Sequence, residues 1–87
     1  MMADKAQVSR LLKTARGQLD ALLRMVEEDR YCIDISNQLL AVEALIRKTN
    51  REVLTAHLRH CVQEAVEDGD AQGKIEELVS VLEKMSK

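Results

Sequence analysis

The chain has no proline, phenylalanine or tryptophan, only three glycines in 87 residues, and a single aromatic side chain, Tyr31. Without proline and with so little glycine, almost nothing interrupts a helix. The missing aromatics exclude a binder that stacks unpaired bases on aromatic platforms. No run of eighteen apolar residues and no signal-peptide pattern is present, so a cytoplasmic, non-membrane protein is expected. Cysteine is scarce as well. In a reducing compartment Cys32 and Cys61 are expected as thiols, free for metal or redox chemistry rather than spent on a disulfide. No Gly-rich loop or oxyanion-hole turn accompanies them, and the expectation is that the protein is not an enzyme.

The apolar residues fall into three periodic groups. Val8, Leu11, Leu12, Ala15, Leu19, Leu22, Leu23 and Val26 repeat every 3.6 residues, which predicts a helix over about 5–28, capped by Asp4 with Gln7. The charged run Glu27–Arg30 predicts a turn. Ile35, Leu39, Val42, Leu45, Ile46, Val53, Leu54, Leu58 and Val62 predict an uninterrupted central helix over about 31–66. Asp68, Gly69, Asp70 and Gly73 mark a second turn, and Ile75, Leu78, Val79, Leu82 and Met85 predict a third helix over about 71–86. The expected architecture is all-α, one domain over residues 1–87, with a central helix too long for two shorter helices to cover. That helix must pair with another chain.

The most informative residues are Cys32, His57 and Cys61. His57 and Cys61 stand four apart, so on a helix they leave one face a turn apart and form a ready chelate. Cys32 precedes His57 by 25 residues, which along one helix is about 37 Å at 1.5 Å per residue. It cannot close the site in its own chain. An antiparallel second copy centred near Leu45 and Ile46 brings Cys32 of one chain to His57 and Cys61 of the other, giving two intersubunit sites per dimer. Two thiolates and an imidazole make a soft donor set, suited to copper(I) with three ligands or to zinc with a fourth. His60 points about 100° away from Cys61 and is expected at the surface. Met25 and Met85 lie in apolar stripes and are expected to pack rather than ligate.

The formal net charge of −2 conceals an uneven distribution. Residues 1–26 hold Lys5, Arg10, Lys13, Arg16 and Arg24 against Asp4 and Asp20, and Arg47, Lys48, Arg51 and Arg59 form a second basic group beside Glu52. From Val62 onward seven acids face three lysines. A basic face on an acidic protein suits the phosphate backbone of DNA.

The stretches Arg16-Gly17-Gln18-Leu19-Asp20, Met25 to Ile35, and His57-Leu58-Arg59-His60-Cys61 resemble the copper-sensing repressors of the CsoR/RcnR family, with similarity from about residue 5 into the third helix. The resemblance implies an antiparallel dimer assembled into a dimer-of-dimers tetramer that binds operator double-stranded DNA when metal-free and leaves it when copper(I) binds. It places the metal on Cys32, His57 and Cys61, the pattern of the copper branch; nickel and cobalt sensors carry histidine at the position of Cys61, and persulfide sensors lack the histidine found here at position 57. It implies that Tyr31 and Glu77 link His57 to the third helix. For DNA it implies the region of Arg10, Lys13 and Arg16 together with Lys48 and Arg51; a first-helix arginine of many relatives aligns with Leu11, and Arg10 precedes it. The rival expectations are a thiol-based persulfide or redox sensor of the same family and a helical metal-binding protein that never touches DNA.

Overall fold

A computed structural model describes residues 1–69 and 71–86; the expected parts of Asp70 in the second turn and of Lys87 in the acidic end lie outside the described residues. The fold is all-α, with α1 spanning Lys5–Glu27, α2 Cys32–Asp68 and α3 Ala71–Met85. At about 1.5 Å per residue α2 alone is about 55 Å long, close to the 57 Å greatest dimension of the chain. Both other helices pack on α2, and among the described residues they do not touch one another.

The Asp4 carboxylate accepts from the backbone N–H groups of Ala6 and Gln7, so the expected cap forms at the start of α1 and uses the backbone of Gln7. The other end closes by a device that the sequence hides. Arg30 N–H donates to Met25 O and Asp29 N–H to Val26 O, a paired closure that normally recruits glycine to its left-handed position. Asp29 occupies it at φ 52°, a conformation aspartate tolerates better than most residues. At the end of α2 that position falls to Gly69, φ 77°, whose N–H donates to Ala65 O.

Val8, Leu11, Ala15 and Leu22 bury one face of α1 against Val42 and Thr49 of α2. The Thr49 hydroxyl donates to Leu45 O, whereas the buried Gln18 Oε1 of α1 has no hydrogen-bond partner among the described residues. The rest of the α1 stripe, Leu12, Leu19, Leu23 and Val26, faces outward. So do Ile33, Leu39, Leu40, Ile46, Leu58, Val62 and Val66 on α2, and Ile75, Val79, Leu82 and Met85 on α3. The periodicity identifies which residues seek burial, but one chain buries only part of them.

Candidate metal centre and nucleic-acid surface

Beyond the reach of α1, the last turns of α2 are covered by α3. Cys61 is buried there, in an apolar groove shared with Leu58, Val62, Ala65, Val66, Ile75 and Leu78. Its Sγ lies 3.4 Å from His57 Nε2. At zinc bond lengths of about 2.3 Å to a thiolate and about 2.0–2.1 Å to an imidazole nitrogen, a shared ion separates those two atoms by about 3.6 Å at a tetrahedral angle and about 3.8 Å with three ligands in a plane. The pair is therefore set for chelation with little movement. Cys32 is exposed in the first turn of the same unbroken helix, about 37 Å away along its axis. Accordingly, no group of three His, Cys, Asp or Glu side chains capable of holding a metal occurs within one chain among the described residues.

Tyr31, exposed, immediately precedes α2, so it shares the Cys32 end and is similarly remote from His57 of its own chain. Glu77 is near: its Oε1 stands 3.9 Å from His57 Nε2 across the α2–α3 interface. Nε2 thus faces both the thiol and the carboxylate. One nitrogen cannot offer a lone pair to a metal and a proton to Glu77, so an imidazole serving both would have to give one ring nitrogen to each.

A second link between these helices involves residues that periodicity does not single out. The Glu64 carboxylate takes His60 Nε2 at 2.6 Å through one oxygen and pairs with Lys74 of α3 through the other. His60, expected at the surface, is half-buried against this acid instead. The four-residue interval from His60 to Glu64 is the only signal of that in the sequence.

The basic residues occupy other faces. Arg10, Lys13 and Arg16 on α1 and Lys48, Arg51 and Arg59 on α2 are exposed, and among the described residues none is ion-paired. Arg47, by contrast, is held by Glu43 at 2.7 Å. Lys48, Arg51, Glu52 and Arg59 line one side of a shallow groove whose other side is Met2–Asp4, so the start of α1 lies beside the basic part of α2. No described helix is long and apolar enough to cross a membrane.

These features define an all-helical protein with an adjacent cysteine–histidine pair near one end of a long helix, a lone thiol at the other, and exposed cations between. The profile of the metal-sensitive transcriptional repressor family matches residues 4–84. The chain belongs to that family, one of transcriptional regulators and not of enzymes. It is 46% identical to the copper-sensing transcriptional repressor CsoR of Mycobacterium ulcerans over 82% of this chain and 61% of that protein, so it spans less than two thirds of that relative. It is 39% identical to the CsoR of Bacillus subtilis over 97% of this chain and 83% of that one. The copper(I)-bound structure of CsoR from Geobacillus thermodenitrificans superposes with a TM-score of 0.88 at 32% identity, covering all of this chain and 94% of the other.

Proposed function

We propose that the protein is a copper(I)-responsive transcriptional repressor, held on operator DNA when metal-free and released when copper(I) binds. The observation that carries the reading is the separation within α2: a two-donor chelate preset at 3.4 Å, and its missing thiol about 37 Å away on the same rigid helix. In an antiparallel dimer Cys32 of the partner subunit completes the set, giving copper(I) two thiolates and an imidazole. The same register sets Ile33 opposite Leu58 of the partner subunit, and both are exposed in the single chain. It also brings the partner's Tyr31 to the chelate. Two such dimers form a homotetramer in the cytoplasm, the exposed stripe of α1 supplying further apolar surface for assembly.

Bound copper(I) would be held by the soft donors Cys61 and Cys32 of the partner subunit together with His57. The protein supplies the coupling. Once His57 commits one nitrogen to the site, the other N–H is available to Glu77, which draws α3 toward α2 and, with Tyr31 of the partner subunit, ties helices of two chains together. Arg10, Lys13 and Arg16 with Lys48 and Arg51 contact DNA phosphates, and one domain thereby carries both sensing and binding. Because linkage is reciprocal, DNA must weaken copper binding by the factor by which copper weakens DNA binding.

The test is anaerobic. Metal-free protein selects a duplex from a random-sequence pool, and its affinity for that duplex is measured with and without one equivalent of copper(I) per chain. The expected loss on copper addition is about 5–150-fold, the usual size of such couplings. Equal affinity in both arms refutes the reading.

A further inference from the structure

Gly17 lies in the interior of α1, where glycine lowers helix stability relative to alanine. A Cβ built on it meets nothing within 4 Å, so no neighbour in the chain requires its absence. Packing within the chain therefore does not call for glycine here, and its bare backbone leaves this surface open to close approach from outside. At 100° per residue, Arg10, Lys13, Gly17 and Arg24 fall within about 60° of helix surface, roughly opposite the face that packs on α2. All four are exposed, and among the described residues the three cations have no ion-pair partner. Asp20 borders the stripe as its one acid. The outward apolar stripe of α1, centred near Leu19, lies more than about 120° around the helix from Gly17. A second copy seated on that stripe does not reach the glycine.

We propose that Gly17 is the point where α1 comes closest to the DNA sugar-phosphate backbone, with Arg10, Lys13 and Arg24 holding phosphates around it. The inference rests on the DNA-binding reading above and adds two residues, Gly17 and Arg24, to the surface. Lacking a side chain, Gly17 lets the helix backbone approach closely enough for the shorter reach of Lys13 and the flanking arginines to meet phosphates on either side. Arg10 and Arg24 are about 21 Å apart along the helix, so the contact spans several phosphates and positions the protein without reading bases.

The test is a graded series, Gly17→Ala and Gly17→Leu, both good helix formers that preserve folding. At fixed protein concentration Gly17→Ala is expected to raise the Tm by about 4–8 °C, the shift that a gain of this size gives in so small a domain. Affinity for the duplex selected by the parent protein is expected to fall at least about tenfold with Ala and further with Leu, a tenfold loss being about 1.4 kcal/mol. Sedimentation mass stays that of the parent. Variants that bind the duplex as tightly as the parent overturn the proposal, and a changed sedimentation mass overturns it in favour of a second copy at this face. If the parent itself selects no duplex, the DNA-binding reading fails and this inference with it, an outcome distinct from a parent that binds and variants that bind equally.

Discussion

The two halves of α2 are held by different kinds of force. From Ile35 to about Val53 it lies against α1 through a buried aliphatic core in which the Thr49 hydroxyl is hydrogen-bonded and Gln18 Oε1 has no partner among the described residues. From about Ala56 to Asp68 it meets α3, where Cys61 is the only buried apolar residue among those described and the links across the interface are His57 with Glu77 and Glu64 with Lys74. Apolar burial is non-directional and persists whatever the ligand state, whereas polar links reorganise when one partner acquires a new bond. On the proposed reading, the first half is a fixed frame that carries the cations assigned to DNA, and the second is the part that can change.

The contrast is tested first by stability. Leu22→Ala is expected to cost about 2–5 kcal/mol in urea unfolding of the metal-free protein, and Leu78→Ala, only half-buried against α2, distinctly less. Equal costs would mean that α3 is as firmly built in as α1. Next comes the metal. Cys61→Ala or Cys32→Ala is expected to weaken copper(I) by more than about 100-fold, beyond the loss from removing a mere neighbour of a ligand, and X-ray absorption of the parent should show two sulfurs and one nitrogen. A variant that keeps parental affinity is not missing a ligand. Smaller again is the effect of Glu77→Ala or Tyr31→Phe, which should leave copper affinity comparatively high while removing much of the roughly 1–3 kcal/mol that couples copper to DNA release. Full release at saturating copper in both variants would show that the α2–α3 links do not transmit the signal. Smallest are Arg16→Ala, Lys48→Ala and Arg51→Ala, each expected to flatten the salt dependence of DNA binding by about one unit of slope without altering the copper response. Unchanged slopes in all three would put the DNA surface elsewhere.

The difference between the halves also explains what the sequence discloses. Periodicity and the absence of breakers reveal three helices and their order, because those are local properties. They place the helix ends to within two residues, the largest difference being that α2 runs on to Asp68, past the expected limit near Val66. The stop after α1 is legible only as charge, since Asp29 adopts a conformation that glycine would have advertised. His57 and Cys61 are legible as a pair because a helix converts a four-residue interval into a shared face. Periodicity cannot say which half of an apolar stripe the chain itself covers, and Leu11 and Leu12, adjacent in sequence, end on opposite sides of that division. Glu64 and Lys74 were illegible for a related reason: their meeting depends on how α3 folds back on α2, a tertiary fact with no interval to mark it.

The account depends most on the site being shared between chains, and complementation tests that directly. Cys32→Ala and Cys61→Ala chains, each unable to bind copper(I) tightly alone, are co-expressed and the mixed assembly is titrated anaerobically. In a two-fold symmetric pairing each mixed dimer holds one complete site, so random mixing should restore tight binding at about one copper(I) per four chains. No recovery of tight binding in verified mixed dimers would contradict the intersubunit site.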